Sequence, residues 1–301
     1  MGTSSRNTKK IRRKDLRSWP WISGNHRSFN FNGARLSRTD TLNEFDETSY
    51  EFTPRIGTYL GENGPLEGKF SLFRMKSDVD GKTLDPDNED TLSTPRRRPR
   101  LGHAGLVELP REGWQNELEL WRTGLGGDGD FWTMNLDLRR WFPTTGRQRL
   151  MLNSLLSLQT GTVGEDLPVC LSYRMGGANS IRGYEIGDLG WRLYGKNQLI
   201  RTAEYSFNVL PLRRWDFWKF ELRLGLDFAL FADGGIAWSE SSEFAWHRGR
   251  GGIGGGVRLL VPGSEMVRFD AGWGQEGGFQ FHFASGSKPV SQRLCLRLRL
   301  R

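Results

Sequence analysis

The sequence contains no long apolar run. No stretch of its 301 residues approaches the roughly 18 consecutive apolar residues of a membrane-spanning helix, which excludes a helical membrane protein. The mean hydropathy is −0.58, and only 36% of the residues are hydrophobic. A membrane β-barrel is still compatible with these values, because its strands carry lipid-facing residues only at alternate positions.

Residues that perform catalysis or bind metals are also scarce. The two cysteines, Cys170 and Cys295, lie too far apart in sequence to indicate a disulfide framework or a zinc site, and their state stays open. The four histidines show no metal-ligand spacing, and no nucleophile elbow or phosphate-binding loop occurs. The string Gly249–Gly254 matches G-x-G-x-x-G, but it leads into a strand pattern instead of a helix. We therefore expect no enzyme, no metal site and no cofactor.

The first residues lack the apolar core of a secretory signal peptide. Met1 to Arg17 is polar and basic, so the chain begins inside a longer protein, is exported by an unorthodox route, or is not exported. The formal charge of +8 raises nucleic acid or anionic lipid as partners. The basic cluster Arg96–Arg100 could likewise bind nucleic acid or anionic lipid. The favoured interpretation is a strand end that meets anionic lipid headgroups.

The sequence is rich in glycine, in aromatic residues and in strict alternation. It contains 39 glycines, and 12% of its residues are aromatic. From Phe220 to Asp233 the residues at every second position, starting with Phe220, are almost wholly apolar. The residues between them include Glu221, Arg223 and Asp227. A run of this length crosses a bilayer at a tilt. The pattern therefore predicts a strand with one face towards lipid and the other towards a polar, water-accessible interior.

Similar runs recur along the chain and predict an all-β, antiparallel, up-and-down transmembrane barrel of about twelve strands. Asp78–Pro95 is expected to be a long external loop. Glycines inside a strand usually mark a bend or a close approach of something packed against the wall, and the segment Gly249–Gly256 therefore suggests a curved barrel wall. The expected domains are a basic, disordered segment (1–26), the barrel (27–286) and a basic extension (287–301). The expected strands lie at Ser28–Arg35, Tyr50–Leu60, Lys69–Arg74, Arg98–Leu109, Trp114–Trp121, Phe131–Trp141, Arg149–Gln159, Leu199–Val209, Phe220–Asp233, Gly252–Val261, Val267–Gly274 and Phe279–Ser285.

One stretch, Met175–Tyr184, holds a distinctive motif. It resembles the Gly-Gly-x-x-Ser-(Val/Ile/Leu)-Arg-Gly-(Phe/Tyr) loop of the BamA/TamA-type outer-membrane assembly family, also called the bacterial surface antigen family. Ala203-Glu204-Tyr205 resembles that family's glutamate-bearing strand, and Phe231–Gly235, with its strand-motif residues Phe231 and Gly234, resembles its Phe-x-Asp-x-Gly pattern. From about Arg96 to Gly286 the order and spacing match. The loop motif residues are Gly176, Gly177, Ser180, Ile181, Arg182, Gly183 and Tyr184.

The resemblance implies a barrel with a long loop folded into its lumen. It also implies that Arg182 pairs with Glu204 and Asp233. Both acids fall on the polar parity of their strands, so a loop in the lumen could place the arginine between two carboxylates. The alternative is an exposed loop arginine without these partners.

The resemblance further implies insertion, assembly or translocation of other proteins in the bacterial outer membrane. The expected partners are the outer-membrane lipid bilayer and unfolded β-barrel client proteins, received directly or through a separate periplasmic accessory protein, and no nucleic acid is expected. A passive outer-membrane pore, or a truncated structural remnant without insertase activity, is the alternative. A soluble nucleic-acid binder is disfavoured by the apolar strand faces.

The chain departs from the family pattern at both ends. No periplasmic POTRA domain fits before residue 27, and the family's usual sixteen strands exceed the predicted count by about four. Lys288–Arg301 follows the expected last strand. Because this tail is basic and alternates, it is either an edge strand or a disordered extension.

Overall fold

The computed structural model describes residues 13–23, 27–40, 45–59, 65–77, 83–102, 110, 112–185, 194–217, 220–260, 266–276 and 278–285. Within these ranges no helix is long and apolar enough to cross a bilayer. The strands are β1 (Arg13–Ser23), β2 (Arg27–Asp40), β3 (Phe45–Tyr59), β4 (Pro65–Ser77), β5 (Glu89–Gly102), β6 (Gly113–Thr123), β7 (Phe131–Pro143), β8 (Gln148–Gln159), β9 (Tyr173–Arg174), β10 (Tyr194–Gly195), β11 (Asn197–Phe217), β12 (Phe220–Trp238), β13 (Arg250–Leu260), β14 (Val267–Gly274) and β15 (Phe279–Ser285).

Thirteen of these strands form one antiparallel sheet in sequence order. The sheet runs from β1 to β8 and continues from β11 to β15, so each strand pairs with the strands before and after it. The short β9 and β10 pair with each other inside the connection from β8 to β11. This up-and-down antiparallel architecture confirms the fold predicted from the alternation.

The two faces of the sheet differ as predicted. In β12 the side chains of Asp227 and Phe231 are 0% and 5% exposed, whereas those of Phe228 and Leu230 are 46% and 58% exposed. Large apolar side chains therefore point outward, towards lipid, and polar groups point inward. Connections alternate in length: 144–147 joins β7 to β8, whereas 160–196 joins β8 to β11. Short turns mark the periplasmic end of such barrels and long loops the extracellular end.

Among the described residues the large sheet has thirteen strands instead of about twelve, because β1 lies inside the segment expected to be disordered. Trp19 and Trp21 in β1 are in register with Phe31 and Phe29 in β2. Alternate aromatic residues favour a strand, and the basic composition of residues 1–26 concealed this short pattern. Ser28–Arg35 is consequently not the first strand of the wall, since β2 pairs with both β1 and β3.

A second correction concerns the region before β6. β5 begins at Glu89, inside the loop expected over Asp78–Pro95, and Arg96–Arg100 lies within β5 instead of at a strand end. The acidic and polar composition of Asp78–Pro95 indicates a loop, but Glu89 and the residues that follow it pair with β4.

The ends of the sheet are edges as far as the structure describes them. Among the described residues, β1 and β15 each pair on one side only. The predicted role of the tail, an edge strand or an extension over 287–301, falls outside those residues.

The inward face carries two small apolar cores near the long loops. One surrounds Ile181 of the β8–β11 connection, and the other surrounds Phe131 at the start of β7. Their buried members are Leu155, Met175, Ile181, Tyr184, Ile200, Ile236, Ala237 and Trp238 in the first, and Met75, Leu92, Phe131, Leu167 and Leu171 in the second.

Candidate functional site

The loop between β8 and β11 folds into the lumen, and its motif forms a compact turn. The backbone N–H of Gly177 donates to the carbonyl oxygen of Tyr184 at 3.0 Å, and that of Ser180 donates to the carbonyl oxygen of Gly177 at 3.0 Å. The Ser180 hydroxyl accepts a bond from the backbone N–H of Gly176 at 3.3 Å. Gly176 and Gly177 have φ values of 108° and 101°, which glycine adopts most readily. These motif residues therefore shape the turn.

Two apolar motif residues anchor the turn beside Arg182. Ile181 is 0% exposed and Tyr184 is 3% exposed, and both belong to the first apolar core. Their burial fixes the backbone on either side of Arg182. The position of the arginine is therefore set by the packing of its neighbours in the loop as well as by its ion-pair partners.

Arg182 is completely buried and makes a forked contact with Asp233. Its Nε and Nη2 atoms donate to Oδ2 and Oδ1 of Asp233 at 2.7 and 3.0 Å, and its backbone N–H donates to Oδ2 at 3.1 Å. Its Nη1 atom donates to Oε2 of Glu204 at 3.0 Å and to Oδ2 of Asp270 at 3.5 Å. Burial acts to lower the pKa of Arg182, but attraction to Asp233 and Glu204 outweighs burial and raises that pKa above its ordinary value, so the guanidinium is charged.

The two strand-motif residues differ in their relation to the loop. The guanidinium carbon of Arg182 lies 3.4 Å from the centroid of the Phe231 ring, in a cation–π arrangement. Gly234 lies away from the loop, and a Cβ atom there would have only the carbonyl oxygen of Arg250 nearby, at 3.9 Å. At Gly235 a Cβ atom would be 3.2 Å from Ile181 Cδ1. Of these two glycines, Gly235 is therefore the one that lies against the docked loop.

Two further arginines and one carboxylate complete the arrangement. Arg258 donates from Nη2 to Oε2 of Glu204 at 2.8 Å and from Nη1 to Oδ1 of Asp270 at 2.5 Å. Arg268 lies 3.8 Å from Asp270 and donates to Oδ1 of Asn179 at 2.8 Å. Three positive and three negative groups thus balance in the buried interior. We name them the charge cluster: Arg182, Arg258, Arg268, Glu204, Asp233 and Asp270.

The wall residues of the charge cluster come from the inward faces of four neighbouring strands, β11 to β14. Thr202 is in register with Asp233, and its hydroxyl donates to Oδ1 of that carboxylate at 2.8 Å. Arg258 of β13 reaches Glu204 of β11 across the intervening β12. Side chains two strands apart meet in this way when a sheet is concave towards them. The loop therefore joins four strands at one place.

The loop backbone rests on glycines of the wall, which we name the glycine platform: Gly252, Gly272 and Gly274. A Cβ atom at Gly252 would overlap the carbonyl oxygen of Arg182, and one at Gly272 would lie 2.6 Å from the backbone N of Gly183. Of these three glycines, Gly252 belongs to the segment for which the sequence predicts a curved wall, and at this position the structure shows a close approach of the loop backbone.

The charge cluster and the docked loop occur in a chain that matches a known family over most of its length. The model of the Omp85 superfamily domain matches residues 16–288. The chain belongs to the Omp85 superfamily. The resemblance to the BamA/TamA-type family is thereby confirmed, and the protein resides in the bacterial outer membrane.

Relatives of this Omp85 chain include the outer membrane protein assembly factor BamA of Nitratidesulfovibrio vulgaris. It is 25% identical over 228 residues, which cover 71% of this chain and 27% of the relative. The chain thus spans about a quarter of the length of that curated relative.

Solved structures share the fold. BamA from Haemophilus ducreyi lacking POTRA domains 1–3 matches 90% of this chain and 60% of its own, with a TM-score of 0.68 and 13% identity. CdiB from Escherichia coli matches 86% of this chain and 47% of its own, with a TM-score of 0.51 and 16% identity. CdiB from Acinetobacter baumannii matches 88% and 47%, with a TM-score of 0.55 and 15% identity.

Three members of the charge cluster of this Omp85 chain were not predicted from the sequence: Arg258, Arg268 and Asp270. A signal for them was present. All three lie at the buried, inward-facing alternate positions of their strands. Among the described residues, no group of three or more histidine, cysteine, aspartate or glutamate side chains could hold a metal ion.

Proposed function

We propose that this protein assists the insertion and assembly, or the translocation, of other outer-membrane proteins, with unfolded β-barrel chains as clients. Membership of the Omp85 superfamily and similarity to an outer membrane protein assembly factor support this proposal. The observation that carries it is the charge cluster, which fastens a lumen loop to β11, β12, β13 and β14. The loop also reaches the edge strand, because the backbone N–H of Gly183 donates to Nε2 of His282 in β15 at 3.4 Å.

The mechanism follows from the cost of an unpaired strand edge in lipid. Among the described residues β15 has one free side, and each unpaired backbone group in the bilayer core costs several kcal/mol. An incoming hairpin lowers that cost by pairing with the edge, so the edge acts as a template. The braced loop holds β14 and β15 in a fixed geometry while they are available for pairing. No covalent bond is made or broken. Clients arrive directly or through a separate periplasmic accessory protein.

Reconstitution tests this proposal. The purified protein in liposomes should accelerate the folding of an added test barrel, measured by its protection from protease. The Arg182→Ala variant should lose most of the acceleration, because the loop is no longer fixed to the wall. Arg122→Gln is the control, since Arg122 pairs with Asp130 far from the charge cluster.

A passive pore gives the opposite result in the same liposomes. It would raise ion conductance and leave the folding rate of the test barrel unchanged. That outcome would contradict the proposed function.

A further inference from the structure

The outward face of the sheet contains a groove that the lumen site does not explain. The groove has a volume of about 920 Å³ and crosses β6, β7, β8, β11 and β12. Its outward-facing floor is made of small residues, Ser154, Ala203, Ala232 and Gly234, and larger side chains border it. The bordering residues are Trp114, Leu138, Arg140, Leu152 and Arg201.

The strand register gives the arrangement of the groove residues across three strands. Arg201 in β11 is in register with Ser154 in β8 and with Gly234 in β12. Ala203 is likewise in register with Leu152 and with Ala232. Ala203 and Ala232 thus lie side by side, and Ser154 and Gly234 flank Arg201, so the small residues leave a channel beside the taller side chains.

Two arginines on this lipid-facing surface have no carboxylate partner among the described residues. Arg140 and Arg201 are exposed, and their described partners are the rings of Phe142 and Trp246, at 5.5 Å each. Arg122 is on the same face but forms an ion pair with Asp130 at 3.0 Å. A charged side chain that faces lipid is costly unless a counter-charge accompanies it. The groove therefore presents positive charge that nothing else in the described chain neutralises.

Arg201 lies near one end of its strand. It is the fifth residue of β11, close to the long connection 160–196. Trp246, which lies in the connection 239–249 at the same end of the barrel, is 64% exposed. Exposed tryptophan side chains concentrate at the boundary between headgroups and acyl chains. The pair Arg201 and Trp246 thus combines a cation with an interfacial anchor beside an apolar channel.

We propose that this groove binds an anionic, phosphate-bearing membrane lipid. Its phosphate contacts Arg201 beside Trp246, and one acyl chain lies along Ala203 and Ala232. The guanidinium supplies several N–H donors to the phosphate oxygens, an arrangement that combines charge with hydrogen bonding. The small floor residues let the acyl chain approach the backbone closely, as apolar grooves do for other apolar ligands.

Native mass spectrometry of the purified full chain measures this binding. The protein is exposed to phosphatidylglycerol or to zwitterionic phosphatidylcholine, and the lipids retained per protein are counted. Arg201→Gln should reduce phosphatidylglycerol retention roughly tenfold, the factor expected when one charge-assisted hydrogen bond is lost. Ala232→Phe should also reduce it, because the new ring fills the channel while Arg201 is intact. Arg122→Gln is the matched control and should retain the lipid.

Each other outcome overturns the proposal. Unchanged retention in Arg201→Gln means that the arginine does not bind the phosphate. An equal loss in Arg122→Gln means unspecific attraction to surface charge, and full retention in Ala232→Phe means that no acyl chain occupies the groove. Displacement of the lipid by inorganic phosphate alone would assign the site to the free ion. All variants lie on the outer surface, and their fold is verified by resistance to unfolding in detergent.

Discussion

Arg182 contacts three carboxylates, but the three contacts are unequal. Asp233 receives a fork from the side chain and a third bond from the backbone of Arg182. Glu204 also has Arg258 as a partner, at 2.8 Å. Loss of the Arg182 side chain therefore removes the forked counter-charge of Asp233, whereas Glu204 keeps Arg258 as a cation.

This asymmetry predicts the outcome of two double-mutant cycles. Arg182→Ala should lower the free energy of unfolding by about 3–5 kcal/mol, because a buried carboxylate loses its counter-charge. Its coupling with Asp233→Ala should be large, and its coupling with Glu204→Gln clearly smaller. Arg182→Lys should restore only part of the loss, since a single ammonium cannot form the fork. Urea titration in detergent or lipid measures all of these values. Strict additivity with Asp233→Ala would show that the fork does not hold the loop.

Tyr184 provides a contrasting case at the same scale. Its ring is buried in the first apolar core, but its hydroxyl has no hydrogen-bond partner among the described residues. Tyr184→Phe should leave the free energy of unfolding unchanged or raise it slightly, because a buried unsatisfied hydroxyl is costly. Tyr184→Ala should lower it by about 3–5 kcal/mol, as for other large aromatic truncations. A loss in Tyr184→Phe as large as in Tyr184→Ala would mean that the hydroxyl has a partner in the native lumen.

At the scale of the strand, glycine has different roles on the two faces of β13. Gly252 faces inward and lies beneath the carbonyl group of Arg182, whereas Gly255 faces outward, where an added Cβ atom would find ordinary contacts at 3.5 Å. The same residue type is thus required for close approach at one position and not at the other.

Alanine substitutions test this difference within one strand. Gly252→Ala should destabilise the protein by about 1–3 kcal/mol, the usual cost of overpacking, and should free the loop for proteolysis. Gly255→Ala is the matched control and should be neutral or slightly stabilising, because alanine reduces the entropy of the unfolded chain. Equal protease sensitivity of the two variants would show that the glycine platform is not needed for docking of the loop.

Adjacent residues of β15 test which face meets lipid. Phe281 is 79% exposed on the outward face, and its neighbour Gln280 points inward. Phe281→Arg should cost up to about 2–4 kcal/mol, the value for a lipid-facing arginine near the bilayer midplane. Gln280→Arg should cost much less, since its face is polar. Folding titrations into lipid vesicles compare the two, and equal costs would contradict the assignment of the faces.

At the scale of the whole molecule, the lumen is occupied where the loop docks. The charge cluster lies inside the wall, and the two apolar cores add buried contacts near the long loops. A filled lumen conducts few ions even when the wall itself is a barrel.

Conductance in planar bilayers should therefore be low for the unaltered protein. Arg182→Ala should raise it several-fold, because release of the loop opens the lumen. Arg122→Gln should behave like the unaltered protein, since it changes only the outer face. High conductance before any substitution would mean that the loop does not block the lumen.

The sequence by itself determined the architecture and the polarity of the wall. The alternation in β12 separated a lipid face from a lumen face, because side chains of a strand point to opposite sides at every step. The same parity placed Glu204 and Asp233 inward, and the resemblance of the motif drew attention to Arg182. Local pattern was sufficient for these inferences, since each depends on only a few consecutive residues.

Only the tertiary structure decided which lumen groups meet. The contacts of Arg258 with Glu204 and Asp270 depend on the register between strands and on the curvature of the wall, and neither is encoded in one strand's pattern. The place of Gly235 instead of Gly234 at the loop was likewise settled by packing. Alternation fixes which face a side chain occupies, but contacts between distant segments arise when the sheet brings them together.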